Sequence, residues 1–274
     1  MRRAGFATLA SKFPLAYRLT HAIEIQHMGG RLSSPLPDRG SVRRGAPAGL
    51  GGKPLTNIVR QSQRAVEAVA REAVRCSYCF EHLGLQRAQI AIAQPRWVGP
   101  NYSTSSPKVV VVMLNPAAGE GRSSEVHSHR QRLLEDFRNG SKSIVDVFDE
   151  QARDFPQFGR GRFLPYLENS LGVAIHDVAL LNMAWCATKG DIYPDQMFEK
   201  CYALHTSAAL MALAPEVVVL CGQKTRRFLE RIAAALPKAR DFQTIHYAHR
   251  KSLEAERSET AEVRDYVSRL ARKR

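Results

Sequence analysis

The chain has 274 residues, 44% of them hydrophobic and 24% charged, enough to close one sizeable core. Lys and Arg number 40 against 26 Asp and Glu, a formal net charge of +14, which favours a polyanionic partner and nucleic acid first among them. No apolar run reaches the roughly 18 residues of a membrane span, so no membrane segment is expected. The five cysteines suit a metal site in a cytoplasmic protein better than a secreted disulfide framework.

Residues 1–54 are basic, with Glu24 and Asp38 as their only acids, and they end in Gly51-Gly52-Lys53-Pro54. No helical or strand period runs through 30–54. The segment reads as a disordered basic extension, whether DNA tether, targeting segment or functionless. The ordered domain is expected over 55–274. Ile58, Val59, Ala65, Val66, Val69, Ala70 and Val74 recur at helical spacing and predict a helix over 56–75. Four strand-like runs follow: Val109–Leu114, Val178–Leu181, Val217–Cys221 and Phe242–Tyr247. The first three are almost wholly apolar, as expected of parallel strands buried on both faces. Helices are expected at about 129–153, 161–171, 195–213 and 223–236, and a last one at about 253–272. The alternation predicts an α/β fold, a three-layer α/β/α sandwich around a central, mostly parallel four-stranded sheet.

Ligands of such sheets bind beyond the carboxyl ends of the strands, so each strand end is a candidate site. The first strand leads into Leu114-Asn115-Pro116-Ala117-Ala118-Gly119-Glu120-Gly121. Its small residues let backbone approach a ligand, and Asn115 and Glu120 stand as polar groups at the cleft mouth. The second strand ends at Asn182, an amide with donor and acceptor for a base edge, or equally a buried tie for a neighbouring loop. The third gives the strand-to-helix turn Cys221-Gly222-Gln223-Lys224. After the fourth comes Ile245-His246-Tyr247-Ala248-His249-Arg250-Lys251-Ser252, where His249 and two following cations suit a departing anion. Cys76-Ser77-Tyr78-Cys79, with Cys186 and Cys201 separated by fourteen residues, offers four thiolates for a [4Fe–4S] cluster or a tetrahedral zinc ion, the alternative being four reduced structural cysteines. Cys221, within an apolar strand, reads as a core thiol.

In order and spacing these segments resemble the uracil-DNA glycosylase superfamily over about 65–255. The resemblance rests on an Asn-Pro loop after the first strand, a Leu-Leu-Asn strand end, the run Pro215-Glu216-Val217-Val218-Val219-Leu220-Cys221-Gly222, and a late histidine motif. It is closest to the iron–sulfur type called family 4, which carries a C-x2-C pair early and a second cysteine pair after the second strand. There a cysteine follows the strand-end Asn by four positions, as Cys186 follows Asn182.

The resemblance implies a uracil-DNA glycosylase-like fold and a monomeric enzyme. It would act on uracil-containing DNA, single- or double-stranded, extruding the base and hydrolysing its N-glycosidic bond without a redox cofactor. Cys76, Cys79, Cys186 and Cys201 would hold a structural [4Fe–4S] cluster, zinc being the alternative. Asn182 would read the uracil edge, and His249 would stabilise the charge on uracil O2. Asn115 or Glu120 would position the attacking water, Glu120 being the better base. Pro116 and Ala117 would lie against the base, with His127 where relatives stack a phenylalanine. Lys224, Arg226, Arg250 and Lys251 would meet phosphates. The chain departs from the family pattern at Met113-Leu114-Asn115-Pro116-Ala117, which replaces Gly-Glu-x-Pro-Gly, and at His249-Arg250-Lys251-Ser252, which lacks the proline of His-Pro-Ser. Pro100-Asn101-Tyr102 and 127–129 are further pocket candidates. Three rivals remain at this level. One is a superfamily member that binds DNA or a free base without efficient excision. The second is a nucleotide-binding α/β protein, which lacks a phosphate-binding glycine motif here, and the third is a zinc deaminase, for which H-x-E and P-C-x-x-C are missing.

Overall fold

The computed structural model describes residues 61–116, 123–248 and 253–273. The expected basic extension, 1–54, lies outside the described residues.

Three strands are buried at every position: β1 (Val109–Met113), β2 (Val178–Asn182) and β3 (Val217–Cys221). Their valine- and leucine-rich runs suit a pleated surface covered on both sides. β4 (Arg240–Thr244) is partly exposed. The sheet order is β2-β1-β3-β4 and every pairing is parallel. The registers Met113↔Asn182 and Cys221↔Thr244 bring the strands to one level carboxyl edge. β2 lies on one side of β1 and β3 on the other, so the topological switch point falls between β1 and β3.

The helices follow the expected order with instructive differences. The first, α1 (Gln61–Ala73), falls inside the predicted 56–75. A short α2 (Tyr78–His82), not expected from periodicity, carries the second cysteine of the early pair. The single helix expected over 129–153 is two helices, α3 (Ser124–Asn139) and α4 (Ile144–Ala152). Gly140, at φ 88°, stops the first in the left-handed conformation, and a reciprocal capping box between Ser143 and Asp146 starts the second. Further on, α5 (Phe163–Pro165) runs into a π-helical turn (Tyr166–Leu171). The same happens in the expected 195–213 helix, where α6 (Asp195–Cys201) and α7 (Ser207–Leu213) flank a π-turn (Tyr202–Thr206). After β3 a 3₁₀ turn (Gln223–Phe228) leads into α8 (Leu229–Ala235), and α9 (Leu253–Arg272) closes the chain as expected. Helix α1 packs on α7 and α4, while α9 packs on the 166–171 turn and β4.

The fourth strand begins and ends earlier than its apolar run suggested. As the exposed edge it takes polar Arg240 and Asp241, and 245–248 turn away from the sheet beyond its carboxyl end. The outer edge of β2 is covered by residues 97–99. Leu180 N–H donates to the Trp97 carbonyl at 2.7 Å and Gly99 N–H to the Val178 carbonyl at 3.0 Å. Gly99 has no room for a side chain, because a Cβ there would stand 2.2 Å from the His176 carbonyl oxygen. We expect Gly99→Ala to lower stability by about 1–3 kcal/mol, as overpacking against backbone does, measurable by urea denaturation with the m-value unchanged.

Candidate functional site at the carboxyl edge of the sheet

A cavity of about 280 Å³ opens where the switch point predicts. Its lining comes from the ends of three strands: Leu114 after β1, Cys221 to Lys224 after β3, and Ile245 and His246 after β4. The turn after β3 is shaped by Gly222, at φ 103°, a value that side chains disfavour. Its carbonyl accepts from Thr225 Oγ1 at 2.6 Å and from Gln243 Nε2 at 2.8 Å, which fixes the 222–225 backbone beside the cavity. Below lies a buried polar layer. The Tyr166 hydroxyl shares a 2.6 Å hydrogen bond with Thr244 Oγ1, and the Cys221 thiol donates to the Ile245 carbonyl at 3.5 Å. Burial pushes the Cys221 thiol up to about 11, so it remains protonated and un-nucleophilic at neutral pH.

His246 is the imidazole on this cavity. Its Nδ1 accepts from the Ala248 N–H at 3.2 Å, so the neutral ring carries its proton on Nε2. Its ring stacks on Tyr247 at 4.4 Å. His249, which the resemblance gives as the late histidine, lies outside the described residues, as do Arg250, Lys251, Ala117 and Glu120.

Asn182 sits at the end of β2 with only 1% of its surface exposed. With its amide oriented by its neighbours, the oxygen accepts from Arg96 Nε at 2.8 Å and the nitrogen donates to the Leu181 carbonyl at 3.2 Å. The ring nitrogen of Pro116, which has no proton to donate, touches the same oxygen at 3.2 Å. Thr206, from the π-turn, donates to the Asn182 carbonyl at 2.8 Å and accepts from Trp185 Nε1 at 3.0 Å. Asn115 is half-buried and its side chain hydrogen-bonds Tyr193, whose hydroxyl is raised by burial and also reaches Asp191 at 3.4 Å. So Asn115, Pro116 and Asn182 share the carboxyl edge, beside the cavity rather than among the residues that line it. Lys224 lines the cavity and is exposed, as is Arg226; neither side chain has a hydrogen bond or ion pair among the described residues.

Two of the pocket candidates stand apart from this cavity. His127 is buried at 4% exposure on α3 and is not among the residues lining the cavity. The 100–102 segment lies at the opposite edge. Asn101 Nδ2 donates to Asp177 Oδ1 at 3.0 Å just before β2, and the buried Tyr102 hydroxyl donates to the Leu213 carbonyl at 3.3 Å. Arg96, in contrast, had no signal in the sequence. It comes from the loop before β1, yet its guanidinium reaches Asn182, lies 5.8 Å over the Phe158 ring and bears electrostatically on Tyr247.

The two cysteine pairs, more than a hundred residues apart in sequence, converge. Residues 86–94 run beside 185–189, with Ala88 N–H on the Ala187 carbonyl at 3.4 Å and Gln94 N–H on the Trp185 carbonyl at 2.7 Å. Cys79, Cys186 and Cys201 are buried and Cys76 is half-buried, all four as free thiols. The Cys79 thiol hydrogen-bonds Cys201, which with burial pushes Cys79 up and draws Cys201 down. Burial followed by the charge of Cys201 raises Cys186, and Cys76 is raised by burial first. Lys200 beside Cys76 and Arg87 beside Cys186 pull the other way. Among the described residues no three His, Cys, Asp or Glu side chains stand in a ready ligand shell. The four neighbouring thiols repel one another when ionised and become stable thiolates together only around a cation, which is the donor chemistry of an iron–sulfur cluster or zinc.

No protein-family model matches this chain, and no curated protein matches it. With native protein, Cys221 should stay unalkylated by iodoacetamide at pH 8, where its thiol is protonated and enclosed; labelling read by peptide mass spectrometry at that pH would contradict the site described above.

Proposed function

We propose that this chain is a DNA glycosylase that removes uracil from DNA and carries a structural cluster on Cys76, Cys79, Cys186 and Cys201. The observation that carries this reading is a coincidence of position. The loops after β1, β3 and β4, singled out separately in the sequence, meet at one carboxyl edge of one parallel sheet, around a small cavity with an imidazole and a cation, and Asn182 and Cys186 follow from the end of β2 at the same edge. At about 280 Å³ the cavity lies just below the roughly 300–1,000 Å³ of sites for drug-sized ligands, a size that suits one flat base.

A base inside a duplex is out of reach, so the nucleotide must first swing out into the cavity. The exposed cations Lys224 and Arg226 meet the flanking phosphates. Cleavage leaves negative charge on the departing uracil, and the Nε2–H of His246 is the donor suited to it, in the role the resemblance gave to His249. Asn182 reads the base edge by exchanging its bond to Arg96 for one to uracil, while Arg96 becomes a second donor at that edge. Asn115, held by Tyr193, orients the water and Glu120 takes its proton. A cluster bound by the four thiolates would supply no redox step; it would cross-link α2 to the 186–201 segment.

A second reading, a superfamily member that binds DNA or a damaged base without efficient excision, is favoured by one specific feature. Both amides are already engaged by protein groups, Asn182 by Arg96 and Asn115 by Tyr193. Incubation with a uracil-containing oligonucleotide and alkaline cleavage of abasic sites separates the two. The glycosylase reading predicts strand breaks at uracil, reduced about 10²-fold or more in Glu120→Gln or His246→Ala. Binding without breaks leaves only the second reading. The cluster is tested on the same preparation: iron and sulfide content with a visible charge-transfer band are expected, and Cys79→Ser should remove both. Zinc alone, or no metal, would contradict the iron–sulfur assignment.

A further inference from the structure

The sequence Phe158-Gly159-Arg160-Gly161-Arg162-Phe163 forms a loop that none of the roles above uses. Three successive residues, Gly159 at φ 58°, Arg160 at 58° and Gly161 at 80°, adopt the left-handed conformation. Glycine does so freely, whereas arginine there is strained. Gly159 is needed for a second reason, since a Cβ would fall 2.5 Å from the ring of Tyr247.

The loop is seated on the carboxyl edge of the sheet. Phe163 packs on Tyr247 at 5.0 Å, and Tyr247 stacks on His246 of the cavity wall. On its other flank the Phe158 ring carries the Arg96 guanidinium, which holds Asn182. Phe155 and Phe163 anchor Phe158 below, at 5.3 and 5.8 Å. The two arginines then part company. Arg162 turns inward to the buried Glu256 at 3.0 Å. Arg160 is exposed, and among the described residues its side chain has neither a hydrogen bond nor an ion pair. A strained backbone thus holds out a guanidinium that no described residue engages, on an aromatic base built against the cavity wall. Such strain persists where the surroundings impose it and a function draws on it.

We propose that this loop is a DNA-backbone clamp beside the cavity, with the Arg160 guanidinium taking a phosphodiester. Its fork of N–H donors matches two phosphate oxygens, and a chain of net charge +14 draws DNA to it. The two glycines permit the left-handed backbone that presents it. This inference rests on DNA being the partner in the reading above, and not on excision.

The test uses the full chain and a fluorescein-labelled oligonucleotide without uracil, followed by fluorescence anisotropy across a salt series. Arg160→Gln and Arg160→Gly should each weaken binding several-fold and reduce the slope of log K against log salt by about 1, the signature of one lost phosphate contact. Arg160→Gly should also melt at or above the wild-type temperature, because glycine relieves the left-handed strain; a merely structural arginine would not lose binding while gaining stability. Wild-type affinity and slope in both variants would overturn the clamp, as would a wild-type chain that binds no DNA. Uracil release is measured in parallel. Binding that depends on Arg160 without excision keeps the clamp and removes the glycosylase, whereas excision with Arg160-indifferent binding does the reverse.

Discussion

Parallel strands impose the constraint on which everything else here depends. Each must be reached by a crossover, so every strand leaves the sheet at the same edge, and the loops that follow are gathered there whether or not they are neighbours in sequence. Residues 109–113, 178–182 and 217–221 are buried throughout, and their registers keep the carboxyl ends level. Both faces of these strands are apolar and covered, so their register is held by the aligned ladders and by packing against the helices on either side rather than by polar–apolar alternation. The cavity lined by Leu114, Gly222 and His246 is a consequence of that arrangement.

Loops gathered at one edge still have to be held, and here the ties come from long polar and aromatic side chains. Tyr193 fixes the loop after β2 to Asn115 after β1. Arg96 joins Asn182 to Phe158, and Tyr247 joins Gly159 to His246. Each tie spans elements from separate parts of the chain, so the edge is pre-organised, as the proposed glycosylase chemistry would require. The hydrogen bond between Cys79 and Cys201 adds a further tie, between α2 and α6.

The sequence made the frame legible because its signals are local. Apolar runs locate β1, β2 and β3 to within a residue, and the helical spacing of Val66, Val69 and Ala70 locates α1. The break at Gly140 was missed although the residue is visible, because apolar periodicity resumes on its far side; the capping pair Ser143 and Asp146 was the signal that could have found it. The π-turns at 166–171 and 202–206 leave no mark on a hydrophobic pattern. Asn115, Pro116 and Asn182 were legible as strand-end residues, and the four cysteines as two spaced pairs. Arg96, His246 and Arg160 are different. Arg96 reaches the site from a loop before the first strand, His246 joins the cavity wall only through the turn that follows β4, and the conformation of Arg160 becomes apparent only when Tyr247 is seen lying on Gly159. These are tertiary relations, fixed by packing between distant segments, and no local pattern records them.

The central claim is that the carboxyl edge of the sheet is where DNA is engaged. Amide hydrogen exchange, followed by mass spectrometry with and without a saturating uracil-containing oligonucleotide, addresses it directly. Protection concentrated in 114–116, 158–162, 222–226 and 245–248 is the predicted result. Protection confined to the opposite edge, at 101–107 and 172–177, would contradict it, because that surface shares no loop with the cavity.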